Sequence, residues 1–353
     1  NFHLNAGVRV VLTDLTVHGA QSAPVPTFWG TASWNGVNDN NIPVTSHKHS
    51  VDVLPSINLT LNLTDTQIVR FGAARVVSPQ DLFSLGTGNS YNFTRNSSST
   101  RVNINPASPL YGKYDGYQFA SGNSGNPDLD PYRASQFNIA WEDYFAKGGL
   151  ISVSGFYKQV DNFVETQNLT ETVMDDFGGT PGSISKPVNA GNGSIYGLEL
   201  AGQYALENGF GFATNYTFTQ STSDQVTAFS DHLTIPGVAK NSFTGTVYYE
   251  KYGFDTRLSY SWRSKAVNQG LGGSTFSVTN TATGSPKVFG VFTAPYGELD
   301  AQVTYNVTDY LSVMVSAQNL TDEAYHTYLQ FKNQPFTYDD SGIRYFFGVR
   351  AKY

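Results

Sequence analysis

Residues 298–317 read ELDAQVTYNVTDYLSVMVSA. Leu299, Ala301, Val303, Tyr305 and Val307 alternate with Glu298, Asp300, Gln302, Thr304 and Asn306. After Thr308-Asp309 the apolar series resumes at Leu311, Val313, Val315 and Ala317. Side chains of a strand point alternately to its two faces, so this stretch predicts two strands, each greasy on one side and wet on the other. The C-terminal segment repeats the pattern, with Tyr345, Phe347, Val349, Ala351 and Tyr353 opposing Arg344, Gly348, Arg350 and Lys352.

Working back along the chain, the same period recurs. Phe254, Leu258, Tyr260 and Trp262 oppose Asp255, Arg257 and Arg263; Phe210, Phe212, Tyr216 and Phe218 oppose Asn215 and Thr217. Tyr196, Leu198, Leu200 and Tyr204 oppose Glu199 and Gln203, and Phe137, Ile139 and Trp141 oppose Asn138 and Glu142. Tight turns are predicted near Thr64-Asp65, Lys147-Gly148, Glu207-Gly209, Lys251-Gly253 and Thr308-Asp309. Long polar connections fall at about 18–46, 79–133, 167–192, 222–239, 266–294 and 326–342, so that short and long alternate through twelve expected strands. Alternation alone also suits a soluble antiparallel sheet. Placing every long loop at one end is the habit of transmembrane barrels, whose strands need about 9–11 residues to cross a bilayer at a tilt.

Composition agrees. Charged residues are 14% of the 353, and aromatics equally 14%, against a usual charged share of about 25%. No run approaches the ~18 apolar residues of a membrane-spanning helix, which leaves a closed barrel as the way to satisfy every backbone group in lipid. A formal charge of −7 argues against a nucleic-acid partner, and the absence of Cys excludes thiolate metal sites and disulfides. Tyr144, Tyr157, Tyr248, Tyr249, Tyr252, Tyr296, Tyr310, Tyr325 and Tyr328 are expected near strand ends, where amphipathic rings suit membrane interfaces. The chain begins at Asn1 without Met or a charged-then-apolar leader, so the start of an exported protein is expected to lie upstream.

Several blocks resemble successive barrel strands of TonB-dependent outer-membrane receptors. They are Phe2-His-Leu-Asn-Ala-Gly-Val-Arg9, Val53-Leu-Pro-Ser-Ile-Asn-Leu59, Ile68-Val-Arg-Phe-Gly-Ala-Ala74, Gly125-Asn-Pro-Asp-Leu-Asp-Pro-Tyr132, Gly155-Phe-Tyr-Lys158 and Gly193-Ser-Ile-Tyr-Gly-Leu-Glu199. The most specific is the end, where Ala317-Gln-Asn-Leu-Thr-Asp-Glu-Ala-Tyr325 and Gly342-Ile-Arg-Tyr-Phe-Phe-Gly-Val-Arg-Ala-Lys-Tyr353 resemble the closing strand pair. The resemblance implies an all-β, transmembrane antiparallel β-barrel with about 12 of 22 strands present, residues 1–353 forming one C-terminal barrel domain without the plug. It further implies a Gram-negative outer-membrane location and energised uptake of an oligosaccharide or a ferric siderophore. The implied partners are outer-membrane lipid, the TonB complex reached through the missing plug, and the barrel-insertion machinery. That machinery would read a C-terminal signal at Phe347, Val349 and Tyr353, although the family usually ends in Phe rather than Tyr. The competing functions are a complete twelve-stranded passive channel or autotransporter-type pore, and an outer-membrane enzyme.

Candidate binding residues come from the loops. Trp29 and Trp34, beside Phe28, and Tyr91, Tyr111, Tyr114 and Tyr117, with Phe93 and Phe119, are aromatics among Asn, Ser and Gly. Such rings suit stacking on a sugar or a planar chelate, and they equally suit packing the loops together. Arg70, Glu142, Glu199, Arg257, Arg263 and Asp300, with Glu250, are expected as a charged lumen wall of inter-strand ion pairs. Asn126-Pro-Asp-Leu-Asp-Pro131 has the carboxylate spacing of a calcium loop but reads first as a turn; Asp175-Asp176 and Asp339-Asp340 read as solvated loop charge. His47 and His49 share a strand face with no identifiable third ligand, so no metal is expected, and no cofactor. The Asn-X-Ser/Thr triplets at Asn58, Asn92, Asn168 and Asn319 lack a context for glycosylation. No nucleophile and His share a block, so no catalytic residue is expected.

Overall fold

The computed structural model describes the chain except for residues 24–38, 96–100, 103, 105, 108–110, 113, 116, 176–177, 224–232, 270–276, 280–285 and 353. Twelve strands pair in chain order to form one antiparallel wall. They are β1 Phe2–Ala23, β2 Asp39–Asn62, β3 Gln67–Ser78, β4 Tyr132–Ala146, β5 Gly149–Asp175 and β6 Gly178–Ala205. β7 Phe210–Ser223, β8 Asn241–Lys251, β9 Phe254–Arg263, β10 Tyr296–Asn306, β11 Leu311–Gln318 and β12 Arg344–Ala351 complete it. The strand number matches the expectation from alternation, and all five tight turns fall at one end of the wall, as predicted. Among the described residues, β1 pairs with β2 alone and β12 with β11 alone, so both edges of the wall are open.

Register explains the two faces. Each turn sets which residues stand side by side, and a one-residue slip would exchange the faces. One cross-strand row runs Phe2, Leu61, Val69, Trp141, Val153, Leu200, Tyr216, Phe243, Trp262. A second runs Leu4, Leu59, Phe71, Ile139, Gly155, Leu198, Phe218. Apolar side chains on this face stand widely exposed: Leu12 is 75% exposed, Leu198 55% and Val349 74%. The opposite face carries Thr60, Arg70, Ala140, Ser154, Glu199, Thr217, Ser242 and Arg263 in one row. A continuous exposed apolar belt of this extent is what a soluble sheet avoids and a lipid-facing wall requires.

The turns follow their residues. Lys251 pairs with Phe254, and the two residues between them, Tyr252 and Gly253, both take positive φ, 56° and 83°. That pair of left-handed residues is the type I′ geometry whose twist matches the flanking strands. Aromatic rings line the same end, with Phe145–Tyr204, Phe210–Tyr249 and Phe254–Tyr305 centroids 5.6, 4.7 and 4.6 Å apart. Tyr252 and Tyr310 stand exposed beside them. The expected strand-end clustering of Tyr holds here. Tyr325 and Tyr328 differ: they belong to a separate strand in the last long connection.

At the loop end the expected boundaries are corrected. The connection anticipated at 167–192 is largely a β-hairpin, because β5 and β6 continue pairing out to Asp175–Gly178. β5 leaves its neighbour β4 at Asp161; residues 162–175 then project roughly 45 Å at about 3.3 Å per residue. Register shifts at Asn189, Gly191 and Gly193, with Asn162 at φ 62°, mark a bulge where the hairpin bends off the wall. β1 and β2 likewise pair well beyond the belt, to Ala23 and Asp39. The sequence hides these extensions because in water neither face need be apolar.

Candidate functional site

The loop end carries two built structures. In the first, strands Asn89–Arg95 and Tyr117–Ser124 pair with each other, and the latter runs parallel to β6 at Ser183–Ser185. Phe119, Val173 and Ile184 are buried between them, and the Tyr91 ring meets Phe119 edge-on at 5.5 Å. Asn89 Nδ2 donates to the Tyr91 hydroxyl at 2.5 Å, and burial, with Glu171 nearby, raises the phenol above its ordinary value. Tyr91 therefore serves as loop core in this structure. Tyr111 is exposed at a turn; Tyr114 and Tyr117 lie on strands, but their side chains, and all of Phe28, Trp29 and Trp34, lie outside the described residues.

The block at residues 126–131 is a clamp. Asn126 Oδ1 accepts from the Asp128 amide at 3.1 Å, forming the expected turn, while Asn126 Nδ2 donates to the Pro187 carbonyl at 3.0 Å. The Asp130 amide donates to Asn189 Oδ1 at 2.8 Å, and Asp130 pairs with Lys48 at 3.0 Å. Gln80 also donates to the Asp130 carbonyl. The Asp130 carboxylate and the carbonyls of Asp128, Asp130 and Pro187 are thus engaged with protein partners. Among the described residues no group of three acidic or His side chains is placed to hold a metal. Asp175 closes the hairpin opposite Gly178, Asp340 Oδ1 accepts from the Gly342 amide at 3.0 Å, and Asp176 lies outside the described residues. His47 and His49 face Thr16 and Asp14 across β1, at 3.1 and 3.3 Å, on an exposed surface.

The second structure was not anticipated. Ala266–Gln269, Val291–Thr293, Tyr325–Tyr328 and Pro335–Asp339 form a four-stranded sheet from two connections that are distant in sequence. It stands over the loop ends of β7 to β9 and borders a half-open cavity of about 800 Å³. Lys240, Lys265 and Lys332 line it, together with Phe292, Tyr328 and Phe331. Phe292 and Tyr328 stack at 5.6 Å with an interplanar angle of 20°, and Lys265 Nζ lies 5.5 Å from the Phe292 centroid. Tyr328 is 5% exposed, and burial raises its phenol above the ordinary value. Nothing local in the sequence links three lysines so far apart.

Arg70, Glu142, Glu199, Arg257, Arg263 and Asp300 share the polar face of the wall. Arg70 Nε meets Glu142 Oε1 at 3.1 Å between β3 and β4, and Arg257 reaches Glu250 at 3.0 Å and Asp255 at 3.2 Å. Glu199 accepts from Ser154 at 3.3 Å, Asp300 from the Asn319 amide at 3.0 Å, and Arg263 stands 5.8 Å from the Tyr325 ring centroid. Phe347 and Val349 project from β12 on the apolar face beside Val315 and Val313; Tyr353 lies outside the described residues.

With that geometry in view, the family model described as TonB dependent receptor-like, beta-barrel matches residues 1–320. The chain belongs to the TonB-dependent receptor β-barrel family. That family is one of transport receptors. Solved structures of the same architecture include the ferric-catecholate import receptor Fiu from E. coli K12, with TM-score 0.60 and 17% identity over 99% of this chain and 42% of that one. The siderophore receptor PirA of Acinetobacter baumannii gives TM-score 0.57 and 16% identity over 88% of this chain and 42% of that one. The copper transporter OprC gives 0.56 and 14% over 99% and 45%. The chain therefore spans well under half the length of these TonB-dependent β-barrels, from 42% to 45%. No curated protein matches the sequence.

Proposed function

We propose that this chain is the C-terminal part of a Gram-negative outer-membrane receptor that takes up a large or scarce substrate with energy delivered by TonB. The observation that carries this reading is the wall itself: an exposed apolar belt on one face, ion pairs on the other, and every tight turn at one end. In lipid a strand edge must be paired, so the open edges at β1 and β12 call for further strands, and residues 1–353 act as one piece of a larger barrel domain. The turn end with its aromatic rings faces the periplasm, and the long hairpin and the loop sheet face outward. The wall serves transport and carries no catalytic residue. TonB acts through segments beyond this chain, and the insertion machinery reads the end of β12, with Phe347, Val349 and Tyr353. The substrate is a ferric siderophore, as named for Fiu and PirA, or an oligosaccharide. The test is deletion of the intact gene, followed by growth and uptake assays on iron chelates and on glycans. A deletion strain that takes up every candidate at the parental rate would remove the uptake reading.

A further inference from the structure

Two long hairpins leave the wall at its loop end. β1 and β2 run on past Ser56, where the β2–β3 ladder stops, and pair out to Ala23 and Asp39. β5 and β6 run on past Asp161, where β5 leaves β4, and pair out to Asp175 and Gly178. A two-stranded hairpin standing alone is at best marginally stable, so each needs bracing. One short segment, residues 126–133, braces both. Toward β2, Lys48 Nζ donates to the Asp128 carbonyl at 2.5 Å and pairs with the Asp130 carboxylate at 3.0 Å, while Asp52, nearer the wall, pairs with Arg133. Toward the other hairpin, Asn126 Nδ2 donates to the Pro187 carbonyl at 3.0 Å, and the Tyr132 hydroxyl accepts from the Val164 amide at 3.2 Å. The Asp130 amide donates to Asn189 Oδ1 at 2.8 Å, and Asn189 Nδ2 returns a bond to the Asp130 carbonyl at 3.1 Å. We infer that residues 126–133 couple the two hairpins, so that both open together and neither opens alone. Such coupling is a property of the fold and holds whatever the receptor carries.

The hinge of the second hairpin lies within this contact. Asn162 has φ 62°, and the β5–β6 register shifts between Asn189 and Gly191, so the hairpin bends there. Asn189 Nδ2 also donates to the Asn162 carbonyl at 3.0 Å. One amide side chain thus closes the bend and holds Asp130, whose carboxylate faces Lys48. The path from one hairpin to the other runs Lys48, Asp130, Asn189. The segment between is stiff enough to carry a displacement. Pro127 and Pro131 fix their own φ, Asn126 Oδ1 holds the Asp128 amide, and Leu129 is buried as an anchor. When Lys48 lets go, Asp130 is freed on one side and its two bonds to Asn189 loosen. Coupling of this kind is reciprocal, so releasing Asn126 from Pro187 must also loosen the β1–β2 hairpin.

Hydrogen exchange of the intact receptor in detergent at neutral pH, resolved by peptide, tests the coupling. Lys48→Met should speed exchange by about twofold to tenfold in residues 43–50, the order set by losing one ordinary hydrogen bond. It should also speed exchange in residues 179–188, which Lys48 does not touch; that is the signature of coupling. Asn126→Ala should do the reverse, quickening residues 179–188 directly and residues 43–50 at a distance. The double variant should fall short of the product of the two single effects, since either substitution releases the same unit. Lys48→Arg keeps the cation and should exchange near the parental rate. Residues 244–250 of β8 lie in the wall and should exchange at the parental rate throughout. Where a variant quickens the wall as well, Asp130→Asn replaces it, because it keeps the main-chain bonds of residue 130 and removes only the charge facing Lys48. Exchange that rises only in the hairpin bearing the severed contact, or in neither hairpin, overturns the coupling.

Discussion

Arg133 Nε lies 2.6 Å from Asp52 Oδ1, joining β4 to β2 at the loop end of β3, with the two side chains 19% and 5% exposed. The β2–β3 ladder stops at Ser56–Ala74 while β3 still pairs with β4 at Val77–Arg133, so this contact ties β2 to β4 beyond the end of the β2–β3 ladder. An ion pair so enclosed depends on both partners, because removing one strands the other charge in a poorly solvated place.

Arg133→Met is accordingly expected to destabilise the receptor by about 3–5 kcal/mol, the usual order for breaking one side of a buried pair. Asp52→Asn combined with Arg133→Met should recover much of that loss. The temperature at which the detergent-purified receptor loses its compact electrophoretic mobility measures both. A double variant no more stable than the single one would count against the pair as the cause.

Leu198 and Glu199 are adjacent in β6 yet belong to opposite faces: Leu198 is flanked by Gly155 and Phe218, Glu199 by Ser154 and Thr217. Leu198→Lys should cost about 2–4 kcal/mol if its position meets hydrocarbon, and assembly in the outer membrane should fall sharply. Glu199→Lys faces water and should assemble near the parental level. In a soluble sheet the order would reverse or vanish, since Leu198 is 55% exposed and a lysine there would be harmless. Measuring the membrane-assembled fraction of the two variants decides between these environments.

Asn319 shows what local reading misses. As a sequence it is a triplet Asn-Leu-Thr; in the fold it is 1% exposed with φ at 56°. Its amide donates to Asp300, its Nδ2 to the carbonyls of Glu323 at 3.0 Å and Gly342 at 3.4 Å, and its Oδ1 accepts from the Glu323 amide at 2.9 Å. One side chain thus holds the exit from β11 to the approach to β12. Asn319→Leu should cost roughly 2–4 kcal/mol, from unmet buried hydrogen-bond groups and a left-handed backbone that Leu resists. Limited proteolysis should then cut faster within residues 320–342, and an unchanged digestion rate would contradict this role.

The wall was legible because its signal is local. Period-two alternation and glycine-bearing turns such as Tyr252-Gly253 are written within a few residues, and register follows from them. What escaped was assembled from distant pieces. Lys240, Lys265 and Lys332 come from three connections, and Tyr91, Phe119 and Ile184 meet only when the 79–133 connection folds onto the hairpin of β5 and β6. Tyr91 illustrates the ambiguity: an aromatic among polar loop residues suits a ligand or a small core, and only the fold places it against Phe119. The same distinction separates Arg70 and Glu142, whose shared face on β3 and β4 follows from alternation, from Asp52 and Arg133, whose contact does not.

The loop core around Tyr91 yields a pH prediction. Burial is the largest cause raising this phenol above 10.0, with Glu171 adding to it and the hydrogen bond from Asn89 opposing it. A group whose folded value is raised holds its proton more tightly in the folded loop than in the opened one. Its contribution is therefore complete below the unfolded value and is lost as pH climbs through the folded value. Proteolytic accessibility of the Asn89–Arg95 and Tyr117–Ser124 strands should stay level near neutral pH and increase above about pH 10. In Tyr91→Phe the ring remains against Phe119 while the titrating hydroxyl is gone, so the part of the alkaline rise due to Tyr91 should disappear. The variant should also remove the 2.5 Å hydrogen bond from Asn89 Nδ2, costing about 0.5–1.5 kcal/mol of loop stability at every pH. An alkaline rise of the same size in Tyr91→Phe would show that another group opens the loop.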